Sequence, residues 1–417
     1  MTRYLIDGAN IFDGTGTPLY PGKVLVEGNR ITAVAGPGEH LSAEGAQRID
    51  GRGATLLPGL IDAHCHLSFG STVHRVLRRG RLDTAPLTLA MVHAARTMLD
   101  FGFTGAYSGG THDPHCEVSL RDDIAAGLIP GPRLRASSFE RSATLQVVGS
   151  DPGAFAGIAS RQPDPDGVRD FVNRMADIGV DAVKFVVTGE SGVVPGTSRT
   201  LQFYDEELAA AAAAAQSRQI WLTAHVHSAE SIKMALRHGF RVLYHCTWAD
   251  EEAIDMLEAK KDEIFVAPAP GINWANIHDG GDFGITKEMA ERQEQFVTLE
   301  RVSQVMPELH KRGVRVLPGG DYGFPWNPIG KNARDLELFV KLFGFSAAEV
   351  LRAATLYGGQ ILGLGHELGL IKAGYLADLL LLEGDPLQDI RLFQDERNFS
   401  LIMQDGRVHK HLDRRGS

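Results

Sequence analysis

Short apolar, β-branched runs recur through the middle of the chain, and between them lie longer stretches whose apolar positions repeat every three or four residues. Eight runs have strand character, at 56–66, 102–108, 133–138, 182–187, 220–225, 241–245, 264–268 and 315–321. Helical periodicity fills the gaps, for example at 87–101, 167–178, 205–218, 229–237 and 287–312. Eight strand–helix repeats predict an α/β fold, a (β/α)8 TIM barrel with a parallel sheet inside and helices outside. The alanine run 209–215 follows acidic residues suited to a first helical turn, and reads as scaffold.

The ends of the chain have another style. Residues 4–6, 24–26 and 31–34 are short strands separated by Asp-Gly, Pro-Gly and Glu-Gly-Asn turns, and 377–382 and 401–408 repeat the pattern. Both ends are expected to pair into one small β-sandwich domain, from 1–57 and 365–417, around a barrel at 58–364. Three long irregular stretches, 139–166, 188–204 and 269–286, fall on the side where the barrel strands end. Loops of that length in a compact domain are candidates for a lid and a substrate pocket.

The chain has 417 residues, 43% hydrophobic and 23% charged, with a formal net charge of −10. No Lys/Arg-rich stripe interrupts the acidic balance, which argues against nucleic acid as a partner. The first residues carry no basic-then-apolar leader, and no uncharged apolar run reaches the roughly 18 residues of a membrane span. A soluble cytoplasmic protein with no membrane partner is expected, acting on a small molecule and assembling as a homo-oligomer. The three cysteines, Cys65, Cys116 and Cys246, are far apart and odd in number, as in a reducing compartment. Strand alternation should turn Cys65 and Cys246 toward the helix layer as small hydrophobes.

Chemistry concentrates at the strand ends. His64 and His66, in Asp62-Ala63-His64-Cys65-His66, are two apart on a strand and so share one face, where they can bind one cation. Lys184 is an interior strand position at which an unpaired ammonium is costly. It must pair with a carboxylate or, as a neutral amine, take up carbon dioxide and become a bridging carbamate. The second is preferred here, because the cluster shows no carboxylate other than Asp321. His225 ends the fifth strand, His245 the sixth and Asp321 the eighth, the last after a Gly-Gly pair that permits close backbone approach. The set predicts two divalent ions, zinc with manganese or iron as alternatives. Asp321 is the expected proton shuttle and His227 an expected polariser of the substrate carbonyl. Trp248, Trp274 and Trp326 lie beyond strands as possible aromatic walls, and Arg141 and Arg199 are mouth-side cations able to hold a substrate carboxylate. His112, His115 and Cys116 look superficially like a further metal cluster but sit off the strand scaffold.

Four segments carry a family resemblance: Leu-Pro-Gly-Leu-Ile-Asp-Ala-His-Cys-His, Leu-Arg-Asp-Asp-Ile-Ala-Ala-Gly-Leu-Ile-Pro-Gly-Pro-Arg, Asn-Ala-Arg-Asp-Leu-Glu-Leu and Gly-Leu-Ile-Lys-Ala-Gly-Tyr-Leu-Ala-Asp-Leu. With them the chain resembles the amidohydrolase superfamily, in its dinuclear subtype with a carbamylated lysine, over nearly its whole length. The resemblance implies that His64 and His66 hold one metal and His225 and His245 the other. It also implies that a carbamate on Lys184 bridges them, with Asp321 as ligand and proton shuttle for a metal-bridging hydroxide. Within the superfamily the chain is similar to the prolidase-like and imidazolonepropionase-like branch. It departs from many dipeptidases of that branch at Ser137-Ser138-Phe139-Glu140-Arg141, where a Gly-Gly-His-Gly-like segment is usual, and at His227, where a Tyr is frequent. The implied activity is hydrolysis of a C–N bond in an amide, urea, carbamate or N-acyl amino acid. A cytoplasmic dipeptidase or carboxypeptidase, a deaminase or lactonase, and a catalytically silent binding barrel stay open.

Overall fold

The computed structural model describes residues 2–77, 82–143, 146–147, 157–158 and 161–412. Strands are numbered along the chain. β1 (Arg3–Ile11), β2 (Tyr20–Glu27), β3 (Arg30–Ala35), β4 (Gln47–Asp50) and β5 (Ala54–Pro58) join β15 (Leu379–Glu383), β16 (Phe399–Gln404) and β17 (Arg407–His411) in one sheet built from both chain ends. β5 lies antiparallel to β15, with Leu56 opposite Leu381, so the two ends of the chain meet in the middle of that sheet. Its apolar face encloses Ile6, Val24, Ile31, Leu56, Leu379 and Leu401.

The barrel staves are β6 (Leu60–Cys65), β7 (Phe103–Ser108), β8 (Arg133–Arg135), β11 (Ala182–Val186), β12 (Trp221–Ser228), β13 (Val242–Trp248) and β14 (Phe265–Ala267). Two short strands, β9 (Glu140–Arg141) and β10 (Gln146–Val147), lie at the edge beside β11. All stave pairings are parallel, and each stave except β8, where Arg133 and Arg135 are half-buried, is buried along its length or nearly so, as a stave covered by helices must be. Leu56 to His66, expected as one strand, is two: β5 belongs to the small sheet and β6 to the barrel, with the turn at Gly59. The eighth stave, expected at 315–321, pairs only through single bridges, Val316 with Val266 and Tyr322 with Cys65. Backbone hydrogen bonds make the seam: Ala63 N to Pro318 O (3.0 Å), Asp321 N to His64 O (2.9 Å) and His66 N to Tyr322 O (2.7 Å).

The outer layer is helical. α1 (Thr84–Asp100), α3 (Pro165–Ile178), α4 (Asp205–Arg218) and α5 (Ala229–Arg237) follow the predicted segments, whereas α2 (Pro114–Ala125) and α6 (Glu251–Ala259) fill gaps between strands outside those segments. α3 shows why: Val168, Phe171, Val172 and Met175 form one buried stripe, Asp164 caps Gly167 N, and Gly179 ends the helix at φ +94°. α7 (Pro270–His278) occupies a stretch expected to be irregular. The helix expected over 287–312 is broken into α8 (Lys287–Arg292) and α9 (Gln295–Lys311), and α10 (Arg334–Phe343) follows the eighth stave. The break falls at Glu294, at φ +60°, whose carboxylate accepts from Ser191 Oγ (2.6 Å), Ser198 Oγ (2.8 Å) and Arg199 Nη2 (2.9 Å). Helix continuity yields there to anchoring of the 188–204 loop. Of the expected lid 139–166, residues 144–145, 148–156 and 159–160 lie outside the described residues. No described helix is long and apolar enough to cross a membrane.

One ion pair ties barrel to sheet. Arg133 on β8 grips Asp378 with two hydrogen bonds (2.9 and 3.0 Å) and Asp405 with a third (2.8 Å), and the Asp378 side chain is 1% exposed. Removing the guanidinium strands a buried carboxylate. Arg133→Ala is therefore expected to lower unfolding stability by about 3 kcal/mol, the scale for breaking a buried pair from one side. Urea denaturation checks this, and a loss under about 1 kcal/mol would show that the pair is dispensable.

Candidate metal centre and active site

The strand ends open into a cavity of about 510 Å³. His64, His66, Lys184, His225, His245 and Asp321 all line it, as does His227. The strand registers explain the gathering: Val186 lies opposite His225 and Val226 opposite His245, so three neighbouring staves bring their polar ends to one level. His245 and the adjoining Cys246 adopt φ of +70° and +52°, and Asp321 adopts +60°. These are left-handed conformations that cost a non-glycine residue about 1–3 kcal/mol and persist only where surrounding contacts impose them. The turn at His245 breaks side-chain alternation, so Tyr244 stacks on His64 at 3.8 Å within the barrel while His245 still reaches the site. Cys65 does face the helix layer, its Sγ 3.9 Å from Met98 Sδ on α1, and Cys246 is fully buried.

Neighbouring groups hold each ring. His66 Nδ1 lies 2.9 Å from Gly110 O, which leaves Nε2 toward the cavity, 2.8 Å from Asp321 Oδ1. His64 Nε2 is 3.8 Å from the same oxygen. Behind His64, Asp62 accepts from the His64 backbone N (2.8 Å) and from Asn332 Nδ2 (2.7 Å). Burial pushes the Asp62 carboxyl up to about 6, and those two hydrogen bonds oppose the rise. His227 Nδ1 lies 2.8 Å from Thr247 Oγ1. Burial first, and neighbouring positive charge second, hold His64, His225 and His245 well below the usual histidine range. Their rings stay neutral at neutral pH, as ligands must be. For His66 burial acts the same way, but the Asp321 carboxylate outweighs it and draws the ring upward.

The carboxylate inventory corrects the sequence reading. Two further acids face the cavity, Glu140 and Glu190. Glu140 Oε1 is 3.9 Å from Lys184 Nζ, so the buried lysine does have a carboxylate neighbour besides Asp321. Burial still dominates and lowers the Lys184 ammonium to about 8, which makes its neutral amine accessible. Glu190 Oε2 stands 3.4 Å from His227 Nε2 and 3.6 Å from His225 Nε2. Burial alone would raise the Glu190 carboxyl, yet these rings draw it down to about 2. Glu140 sits in the segment that departs from the dipeptidase pattern, and a departure beside a strand end was the available signal. Glu190 lies in a long loop and had none.

Other expected contacts fall elsewhere. Arg141 places its guanidinium over Phe171 at 5.7 Å, and Arg199 lies over Trp248 at 4.6 Å while paired with Glu294. Neither lines the cavity, nor do Trp248 and Trp274. Phe69, Phe283, Phe324 and Trp326 form its aromatic wall, Phe324 and Trp326 stacked at 5.3 Å. His112 joins that wall by stacking on Phe69 at 4.7 Å, whereas His115 and Cys116 belong to the first turn of α2, capped by Asp113. Among the described residues lining the cavity, Lys184 is the sole Lys or Arg.

The donors fit divalent cations. His245 Nε2 is buried without a hydrogen-bond partner among the described residues, and Asp321 Oδ1 has beside it only the His66 ring at 2.8 Å, an arrangement that is costly unless an ion completes it. Ligand atoms of His64, His245 and Asp321 lie within 4.8 Å of one another, as do those of Glu190, His225, His227 and His245. Imidazole nitrogens and carboxylate oxygens are the donor set of zinc and its first-row neighbours.

A helix-covered parallel barrel whose strand ends gather histidines and carboxylates about one cavity defines a class of hydrolytic barrel enzymes. The chain belongs to the amidohydrolase family, whose model matches residues 55–409, and it is a hydrolase acting on carbon–nitrogen bonds. Ochratoxinase from Aspergillus niger is 26% identical over 427 aligned positions, covering 96% of this chain and 85% of its own. A solved Xaa-Pro dipeptidase with bound methionine superposes with a TM-score of 0.83 at 24% identity, covering 98% of this chain and all of that one. A putative prolidase from Bifidobacterium longum gives 0.81 at 26%, covering 98% and 94%.

Gly109, beyond β7, tests the site's packing. A Cβ there would stand 2.7 Å from His64 Nε2 and 2.9 Å from His66 Cε1, closer than any real contact. Gly109→Ala is expected to keep the fold while lowering metal affinity at least about 10-fold, the scale for disturbing ligand orientation. Metal titration by calorimetry beside a thermal melt decides it. Unchanged affinity would mean that both rings can swing aside.

Proposed function

We propose that the enzyme hydrolyses the C–N bond of N-acyl or N-carbamoyl compounds that carry an apolar or aromatic group. It does so with two divalent ions held by His64, His66, His225, His245, Asp321 and a carbamate on Lys184. The observation that carries the substrate class is the cavity lining: an aromatic wall that begins beside the ligands, with Phe69 stacked on His66 at 4.2 Å, and no Arg among its described residues. A dipeptide or N-acyl amino acid brings a free carboxylate, and that group needs a cation, most often a bidentate Arg. With Arg141 and Arg199 outside the cavity, a neutral aryl amide or urea is the better fit.

Ions bound there would supply Lewis acidity toward the carbonyl oxygen and lower the pKa of a water. Asp321 Oδ1 is placed to take a proton from the attacking water and return it to the leaving nitrogen. His227, its Nδ1 held from behind by Thr247, turns Nε2 toward the cavity. Phe69, Phe324 and Trp326 receive the apolar group, and the 188–204 loop excludes water. The nitrogen and oxygen donors support zinc, and three unpaired buried cysteines support a reducing, cytoplasmic setting.

Under saturating zinc, neutral aryl amides and ureas are expected to exceed simple dipeptides in kcat/KM by at least about 10-fold, equal to roughly 1.4 kcal/mol of transition-state preference. A panel of aryl amides, ureas, N-acyl amino acids, dipeptides, lactones and amino-purines is the direct test. Turnover confined to dipeptides would restore the peptidase reading, and turnover confined to lactones or amino-purines would replace it.

The carbamate has a test of its own. Lys184→Ala should lose metal and turnover together, and a short carboxylic acid, able to occupy the emptied position, should restore part of both. Full metal content with normal turnover in that variant would reject the bridging role.

A further inference from the structure

Glu190 and His227 are two of the cavity-facing groups that the bridged ligand set leaves unused, and their spacing is informative. Glu190 Oε2 lies 3.4 Å from His227 Nε2 and 3.6 Å from His225 Nε2. Firm charge-assisted N–H···O contacts fall at about 2.7–2.9 Å, so these are too long to be the purpose of the arrangement. Neighbouring donors about 2.1 Å from one ion stand roughly 3.0–3.6 Å from one another, a range that includes the spacing found. His225 Nε2 is likewise 3.3 Å from Gly189 O, at the outer limit of a hydrogen bond. His245 Nε2, in the same group, is buried and has no partner among the described residues.

The donors are also held in advance. The backbone N of Gly192 donates to Glu190 (2.6 Å), and Thr188 Oγ1 accepts from the backbone N of His227 (3.1 Å). Glu294 then pins Ser191 and Ser198 of the same loop. A carboxylate fixed so firmly beside three imidazoles is a ligand in waiting.

Resting on the metal-dependent reading above, we infer that Glu190 Oε2 and His227 Nε2 are ligands of the ion on the His225/His245 side, so that the 188–204 loop contributes a carboxylate to the metal shell. With the bridging Lys184 carbamate, the ion on that side would have five protein donors, the upper end of what zinc takes. The loop that walls the cavity is thereby fastened to the metal, and one of these donors must yield when the substrate carbonyl or water takes a place there.

The test is metal binding to the full chain, measured without turnover. Wild-type protein titrated with zinc should take two ions. Glu190→Gln, nearly isosteric, should lower affinity for one ion at least about 10-fold and leave the other unchanged. Glu190→Asp keeps the charge but withdraws the oxygen, and should behave like the Gln variant. His227→Ala should weaken the same ion. With cobalt in place of zinc, the visible ligand-field spectrum of one ion should change in all three, while circular dichroism confirms the fold. Unchanged affinity and spectra in Glu190→Gln and His227→Ala would overturn the inference and leave Glu190 as a hydrogen-bond partner of His227. Wild-type protein that binds no divalent ion would instead defeat the metal-dependent reading itself, and this inference with it.

Discussion

The seam between the eighth and first staves is the contact on which the site depends. The eighth stave is a poor strand, joined to its neighbours by single bridges, yet it supplies Asp321 and lies against the segment that supplies His64 and His66. Its hydrogen bonds to Ala63, His64 and His66 fix the barrel's circumference and the height of the aspartate relative to the two histidines together. Gly319 permits this closeness, since a Cβ there would stand 2.5 Å from His64 N. A slip of one residue at the seam would move the 2.8 Å approach of Asp321 to His66 by more than 3 Å. Closure of the fold and assembly of the centre are one event.

Strained backbone marks where that assembly has a cost. His245, Cys246 and Asp321 all adopt positive φ, and two of them carry candidate ligand atoms. Sheet geometry alone presents every second side chain to the interior, so a ring of donors converging from five staves cannot be met by regular strands throughout. The barrel bends its backbone within β13, at His245 and Cys246, and at Asp321 at the end of the eighth stave instead. Buried support around those bends, with Tyr244 on His64 and Asp335 accepting from Tyr322 Oη at 2.8 Å and from Gly319 N at 3.1 Å, holds the strained turns in place.

This explains what could be read from the chain. The strand-and-helix alternation was legible because burial on both faces leaves β-branched runs and buried stripes leave helical periods. The gathering of His64, His66, Lys184, His225, His245 and Asp321 on one cavity was legible because strand ends convert sequence position into spatial convergence. Glu190 and the break at Glu294 were not legible, since loop geometry depends on contacts 100 residues apart, as in Ser191 to Glu294. Arg141 misled for the same reason. Its place beyond the third stave suggested the mouth, but two-residue β9 turns the side chain outward over Phe171. The small sheet was legible as a tendency with its edge expected near 57, and the pairing of β5 with β15 shows that the strand expected over 56–66 is divided at Gly59 between sheet and barrel.

Charge connects the two sides of the cavity. Glu140, Glu190 and Asp321 give the described lining three carboxylates against one lysine, a balance that attracts cations and orients them by their donors. At about 4 Å and an effective dielectric near 20, each like-charged pair costs roughly 4 kcal/mol, so three carboxylates on one cavity favour any cation that takes up part of their charge. Divalent ions held there would cancel most of it, which leaves the uncharged aromatic wall of Phe69, Phe324 and Trp326, rather than the acids, as the part of the lining that bears on substrate preference.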